Sequence, residues 1–314
     1  MEDRNFDVLV THANCSDGTT CALLAKEYNH LNKGKDLKII FAKYGNEEVI
    51  INDIPVGSNV LFTDFTMSLD SMNRVEELSN SLVVLDHHKT AEEVLKDKEY
   101  AIFDMDKCGT MLTHDWLYGV NSEPSKIVKY VCDRDLWKFE YEDTNAFAAG
   151  YRTYKVEDLL KMPTKVIHSD RFLNDCVEKG EHLIEAQVSK TSNIVGRTQD
   201  SDAVIFETET GKHKMWCINN SEYISETGNE LAMKMRDDNL VYNMSAQYFI
   251  TDKEIVFSFR GVEDADVGAI AKSFSGGGHR LAAGMSIPLT TFIKNDGFKK
   301  MLIDKKLKSS DFMD

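Results

Sequence analysis

The stretch Leu82-Val83-Val84-Leu85-Asp86-His87-His88 decides how this chain is read. Four apolar residues run straight into an acid and two adjacent histidines. An apolar run this short, ended this abruptly, fits a strand buried on both faces of a parallel sheet. Ligands of open α/β sheets collect at the carboxyl ends of the strands, and this strand delivers one carboxylate and two imidazoles there. The plainer reading is a histidine pair satisfied by hydrogen bonds at a strand end. It loses ground because two further strand-like runs end in a similar way.

Upstream, Phe6 to Val10 reads as a first strand running into Thr11-His12-Ala13-Asn14-Cys15-Ser16-Asp17-Gly18, with a helix from Thr19 to Tyr28. Leu37 to Lys43 is a second strand and Asn59 to Thr63 a third, followed at once by Asp64 and a helix over Ser68 to Asn80. Downstream come a short helix at Ala91 to Leu95, a strand at Tyr100 to Phe103, and a helix opened by Lys107-Cys108-Gly109-Thr110 and running to Tyr118. A helix from Pro124 to Val131 then ends in Cys132-Asp133-Arg134-Asp135-Leu136-Trp137. Strands alternating with helices predict a doubly wound, parallel α/β domain.

His12, Asp17, Asp64 and His87 would gather on the carboxyl edge of that sheet, with Asp133 delivered by a helix end. Capping or surface roles are the simpler reading of any one of these carboxylates taken singly. Together, oxygen and imidazole donors suit Mn²⁺ or a similar divalent ion better than a structural zinc, which favours thiolates. Two such ions about 3.5–4 Å apart and bridged by a carboxylate form a clamp for phosphoryl-group hydrolysis, activating water and offsetting charge on phosphorus.

From Tyr151 the pattern changes. Arg171 to Thr191 is a long amphipathic helix able to link two domains, and the polar segment Thr191 to Asp202 reads as a boundary. Strands are expected at Ala203 to Phe206, Lys214 to Ile218, Tyr242 to Ile250 and Glu254 to Arg260, with helices at Ile224 to Arg236 and Ala265 to Phe274. The last helix delivers Ser275-Gly276-Gly277-Gly278-His279-Arg280. Three glycines let backbone N–H groups approach an anion, and His279 and Arg280 add donors. Trp116 and Trp137 read as core, and the lysines at 299, 300, 305, 306 and 308 as a solvated helix face.

The 314 residues suffice for two domains. With 42% hydrophobic and 28% charged residues the composition is that of an ordinary soluble globular protein. A formal charge of -15 argues against broad affinity for long duplex nucleic acid, which needs many cationic phosphate contacts. It leaves room for a small phosphorylated substrate held through metal. Six cysteines form no CxxC pair and read as reduced thiols. No leader-like apolar core or membrane-length apolar run stands out, so no membrane partner and a cytoplasmic location are expected.

Asp86-His87-His88 resembles the signature of the DHH phosphoesterases, a family that includes RecJ exonucleases, nanoRNases, cyclic dinucleotide phosphodiesterases and related phosphatases. His12…Asp17 is similar to their first motif, Asp64 to their second and Asp133, in Asp-Arg-Asp-Leu-Trp, to their fourth. Gly276-Gly277-Gly278-His279-x-x-Ala-Ala-Gly resembles the substrate-binding motif of the DHH-associated domain, and Arg260 that domain's phosphate-binding arginine. The resemblance implies Asp17, Asp64, His87 and Asp133 around one metal, with Asp64 bridging and His12 serving the other. It implies that Asp86 and His88 orient the ligands or contact substrate.

One departure stands out. Cys15 occupies the place of an expected aspartate, as in a related His-Gly-Asn-Cys-x-Asp-Gly branch, and reads either as a thiolate ligand or as a buried neutral thiol.

The expected architecture is a metal-binding domain over 1–170, a linker helix over 171–198 and a smaller α/β substrate-binding domain over 199–314. The active site is expected in the cleft between them, and a homodimer is compatible with this reading. The expected activity is hydrolysis of small phosphodiesters (short oligonucleotides, cyclic dinucleotides or nucleotide bisphosphate) with one or two Mn²⁺ ions, Mg²⁺ and Co²⁺ being alternatives. A phosphatase or exopolyphosphatase acting on phosphoanhydrides, and a non-catalytic nucleotide-binding protein, are the rivals.

Overall fold

The computed structural model describes residues 4–34, 36–237 and 243–312. Contacts divide the chain into two compact units, Met1–Glu185 and Ala186–Asp314.

In the first unit the apolar runs form β1 (Val8–His12), β2 (Lys38–Ala42), β3 (Asn59–Thr63), β4 (Ser81–Asp86) and β5 (Ala101–Phe103). They make one sheet in the order β2-β1-β3-β4-β5. Every pair is parallel, with Val10 beside Phe62 and Thr63 beside Leu85. Successive strand residues face opposite sides. Leu9, Leu61 and Leu85 therefore enter one core, while Val8, Val10, Val60, Phe62 and Val84 enter the other. Both faces must be covered, and short helices supply the cover.

These are α1 (Ser16–Lys33), α2 (Glu47–Asp53), α3 (Leu69–Leu78), α4 (Lys89–Leu95), α5 (Gly109–Tyr118), α6 (Lys126–Asp135), α7 (Thr144–Tyr151) and α8 (Val156–Lys161). Ile50, Met72 and Leu95 from α2, α3 and α4 pack on the Val8 face, and α1, α5, α6 and α7 on the Leu9 face. β1 runs two residues further than its pattern predicts, so His12 is part of the strand. Helix α6 also extends beyond Val131 to Asp135, which makes Cys132 to Asp135 its last turn. The sequence pattern does not reveal α2 or α7, while the mixed helical character of Tyr154 to His168, broken by Pro163, contains α8.

The long amphipathic helix is α9 (Asp170–Arg197), and the division between units falls within it. The second unit is built on β6 (Ala203–Thr208), β7 (Gly211–Asn219), α10 (Ile224–Asp237), β8 (Met244–Ile250) and β9 (Glu254–Gly261). α11 (Val267–Ser273), β10 (Gly277–Gly278), β11 (Ala282–Pro288), α12 (Leu289–Lys294), α13 (Gly297–Leu302) and β12 (Lys306–Lys308) complete it. Tyr242, the expected start of β8, lies outside the described residues.

Seven strands form a mixed sheet in the order β10-β11-β9-β8-β7-β6-β12. Phe206, Phe257 and Phe259 pack under α11 and α12, while Trp216 faces the other way, toward Leu231 of α10. The tail is not one helix face. Lys299 and Lys300 lie on α13, whereas Lys306 and Lys308 sit on the edge strand β12, where lysine discourages further strand pairing. None of the described helices is long and apolar enough to cross a membrane.

Candidate metal centre

Three segments meet at the carboxyl edge of the parallel sheet. β1 ends at His12, Asp64 follows β3, and β4 ends at Asp86 with His87 and His88 next. β1 and β3 flank the point where the strand order reverses, the usual ligand crevice of doubly wound sheets.

Asp64 is the hinge of the arrangement. Its backbone takes the left-handed region at φ 55 while its N–H still donates to the Leu85 carbonyl at 2.9 Å. Holding a non-glycine residue there costs on the order of 1–3 kcal/mol. The turn leaves the buried carboxylate facing two ways. Oδ1 lies 3.2 Å from His87 Nε2 and 3.9 Å from His88 Nδ1. Oδ2 lies 3.2 Å from Cys15 Sγ and 3.8 Å from His12 Nδ1.

On the Oδ1 side, His87 Nε2 is also 3.6 Å from Asp17 Oδ2 and 3.6 Å from Asp135 Oδ2. Asp17 is fixed from α5, whose first two amides, Gly109 N–H and Thr110 N–H, each donate to it at 2.7 Å. A helix N-terminus favours a carboxylate there. The approach is so close that a Cβ on Gly109 would stand 2.6 Å from Asp64 Cβ, so only glycine fits.

Three carboxylates around one imidazole demand positive charge. Burial pulls the His87 pKa down, but the hydrogen bond with Asp64 and the charges of Asp135 and Asp17 outweigh it and push it up to about 10. Asp135, partly shielded from water though its side chain is 30% exposed, is pushed up to about 7 by that shielding and by the neighbouring Asp17. Without a cation the cluster retains protons where a cation would serve. Asp17, His87 and Asp135 on one side, and His12, Cys15 and Asp64 on the other, each bring donor atoms within 4.8 Å of one another. Oxygen and imidazole donors of this kind fit a divalent ion.

Asp86 supports this cluster from behind. Its Oδ1 accepts from His87 N–H at 2.7 Å and His88 N–H at 3.1 Å, and lies 2.7 Å from His88 Nδ1. Its Oδ2 accepts from Thr66 Oγ1 at 2.6 Å. Burial would raise its pKa, yet the His88 charge and these hydrogen bonds win and hold it well below the ordinary range. For His88 burial lowers the pKa, and Asp86 reverses that and raises it.

Asp133 is not placed in this cluster. Its carboxylate accepts from Glu140 N–H at 2.8 Å, Tyr141 N–H at 3.3 Å and the Thr144 hydroxyl, tying the loop after α6 to the start of α7. Residues two apart on a helix point about 200° apart, so only one of Asp133 and Asp135 can face the sheet edge. The fold chooses Asp135, and the motif Asp-Arg-Asp carries both.

Cys15 caps α1. Its Sγ accepts from Gly18 N–H at 3.1 Å and donates to Asp64 Oδ2. Beside it, Tyr44 is 59% exposed as a residue, its ring 4.8 Å from Phe65 and 5.7 Å from His12 between centroids. Trp137 is not core either. It is 37% exposed, takes φ 58, and lies under the Arg134 guanidinium at 4.0 Å. Neither ring carries a sequence signal beyond being aromatic.

In the second unit, Gly277 and Gly278 form β10, the edge strand of the mixed sheet. Gly276 N–H donates to Ala271 and His279 N–H to Ala282, both at 2.8 Å, while Gly277 and Gly278 pair with β11. The glycine at 276 is steric, since a Cβ there would stand 2.2 Å from the Gly284 carbonyl oxygen. Arg280 braces the turn after β9 through the Ala265 and Glu263 carbonyls. Arg260 points its guanidinium at Ser225 Oγ, 2.9 Å away at the start of α10.

No protein-family model matches the chain. It is 26% identical over 295 residues to an uncharacterized protein of Acanthamoeba polyphaga mimivirus, covering 89% of this chain and 67% of that one. It is 24% identical over 301 residues to the oligoribonuclease NrnB of Bacillus subtilis, covering 86% and 70%. Among solved structures, a DHH domain described as a member of the s1p family of ribosomal proteins superposes with a TM-score of 0.51 at 13% identity, covering 96% of this chain and 87% of that one. The likeness to that DHH domain shows a shared fold, with Asp86-His87-His88 set at the carboxyl edge of the β2-β1-β3-β4-β5 sheet.

Proposed function

We propose that this chain is a metal-dependent phosphohydrolase that cleaves phosphodiester bonds of small nucleotides. The observation carrying this reading is Asp64, whose two carboxylate oxygens face two separate donor groups. Asp17, Asp64, His87 and Asp135 would hold one divalent ion, and His12 with Asp64 a second, Mn²⁺ being the first choice with Mg²⁺ or Co²⁺ as alternatives. An ion held there would acidify a water molecule and offset the charge that develops on phosphorus.

The remaining residues have roles of their own. Asp86 fixes the ring plane of His88 through Nδ1, so a protonated His88 has Nε2–H as its second donor for a phosphate oxygen. Tyr44 presents a ring face on which a base can stack, which favours a nucleotide over bare polyphosphate. The net charge of -15 favours short ligands over long duplexes. The Bacillus subtilis relative is named an oligoribonuclease, and that name agrees with a short RNA as substrate. In the second unit, Arg260 and His279 are the proposed phosphate contacts.

The test is hydrolysis of di- to pentaribonucleotides, cyclic dinucleotides, nucleotide bisphosphate and polyphosphate in Mn²⁺, alongside Asp64→Asn. Cleavage of a nucleotide diester that the variant loses is the expected result. Unchanged turnover in Asp64→Asn overturns the metal assignment, and turnover of polyphosphate alone overturns the diester.

A further inference from the structure

The two donor groups that share Asp64 differ in chemistry. Asp17, His87 and Asp135 offer oxygen and nitrogen, whereas His12, Cys15 and Asp64 offer nitrogen, sulfur and oxygen. Hard ions such as Mg²⁺ and Mn²⁺ prefer oxygen, and a soft sulfur donor selects ions such as Zn²⁺ and Co²⁺.

The position of Cys15 is held from several sides. It is the N-cap of α1, an 18-residue helix, and it receives a backbone N–H from Gly18 at 3.1 Å. Burial and the Asp64 and Asp17 carboxylates push the Cys15 thiol well above its ordinary value, against the Gly18 N–H at the helix N-terminus, so an ion has to displace the thiol proton. Asn14, immediately before it, takes the left-handed region at φ 62 and turns the loop back. That loop leaves Sγ 3.2 Å from the Asp64 oxygen that also faces His12 Nδ1 at 3.8 Å. Sulfur thus points at the same carboxylate edge as the imidazole, and the three atoms form one face open to an ion.

We propose that His12, Cys15 and Asp64 form a mixed-donor site for a thiophilic divalent ion, Co²⁺ or Zn²⁺, that Mg²⁺ does not displace. This rests on the reading of the Asp64 edge as a metal centre and makes that centre asymmetric. One position takes a hard ion and the other a soft one. Binding releases the thiol proton to solvent and creates one metal–sulfur bond.

Co²⁺ titrated into the metal-free full-length protein is the probe, followed by its visible d–d absorption and by near-ultraviolet sulfur-to-cobalt charge transfer. The expected result is a charge-transfer band that persists in excess Mg²⁺ and disappears in Cys15→Ser, whose hydroxyl preserves the helix cap. Cys15→Asp, which exchanges sulfur for oxygen at the same cap, should bind Co²⁺ without the band and bind Mn²⁺ about tenfold or more tighter. Cobalt d–d absorption without charge transfer in the wild type overturns the thiolate ligand while leaving the metal centre in place. A band that survives in Cys15→Ser overturns it too, because another cysteine then carries the sulfur. Absence of any Co²⁺ binding overturns both this inference and the metal-dependent reading beneath it.

Discussion

Asp64 Oδ1 stands 3.2 Å from His87 Nε2, although the two residues follow different strands and are 23 positions apart in the chain. Parallel pairing of β3 with β4 sets Thr63 beside Leu85, so the residues just beyond both strand ends are delivered to the same edge. Register, not sequence proximity, makes this pair.

Asp133 and Asp135 separate structure from metal binding. Asp133→Asn loses charge-assisted bonds to the loop before α7, each worth about 1.5–3 kcal/mol, and should lower the melting temperature while the folded fraction still binds Mn²⁺. Asp135→Asn should melt near the wild type and lose Mn²⁺ affinity at least tenfold. Thermal melts with calorimetric titration of both variants check this, and the reverse pattern would return the ligand role to Asp133.

Metal affinity should rise with pH. His87 must give up its proton to ligate through Nε2, and that proton is held up to about pH 10. Below about pH 7 Asp135 also holds one. Apparent affinity should therefore climb roughly tenfold per pH unit between 7 and 9, and more steeply below 7. Titrations in buffers of different ionisation heat count the protons released; a count of zero at pH 8 contradicts the assignment of His87.

Asp86 links stability to acid. Its folded pKa lies below the unfolded value of about 3.9, so its contribution is complete above that value and fades as pH falls through the folded pKa. Asp86→Asn should cost about 1–3 kcal/mol at pH 7 and markedly less near pH 2. Denaturant unfolding at both pH values measures the difference, and an equal cost at both would detach Asp86 from this linkage.

Gly109 tests how tightly the site is packed. Alanine is the better helix residue by about 1 kcal/mol. Its methyl group, however, would lie 2.6 Å from Asp64 Cβ and 3.0 Å from Asp17 Oδ2. Gly109→Ala should destabilise by about 1–3 kcal/mol and reduce Mn²⁺ affinity. A more stable variant with unchanged metal binding would mean that α5 can move away at no cost.

Tyr44 separates base recognition from phosphate chemistry. Stacking on an aromatic ring is worth about 1–3 kcal/mol per base, so Tyr44→Ala should raise KM for a dinucleotide by roughly tenfold with kcat retained. Tyr44→Phe should behave as wild type, and a nitrophenyl phosphodiester lacking a base should not register the loss. A fall in kcat with KM unchanged would give the ring a different role.

The sequence by itself determined the parallel sheet and the strand ends that carry the chemistry. The apolar runs at 59–63 and 82–85 are short, continuous and followed directly by polar groups, and burial on both faces of a sheet is what such runs require. His12, Asp64 and His87 stand at or just beyond strand ends, which place a residue with little freedom, and Asp17 follows in the first turn of α1. Tertiary structure decided the rest. Asp133 and Asp135 differ only in their angle about α6, and nothing local states which side of a helix meets the sheet. The glycines at 276–278 read equally as an anion loop or a plain turn, and only the packed fold pairs Gly277 and Gly278 with β11. Trp137 reads as core in one dimension and Tyr44 draws no notice there, because exposure belongs to the packed fold and not to the residue type. Strand identity is written in nearest neighbours; the direction a side chain takes from a helix or a loop is fixed only by what packs around it.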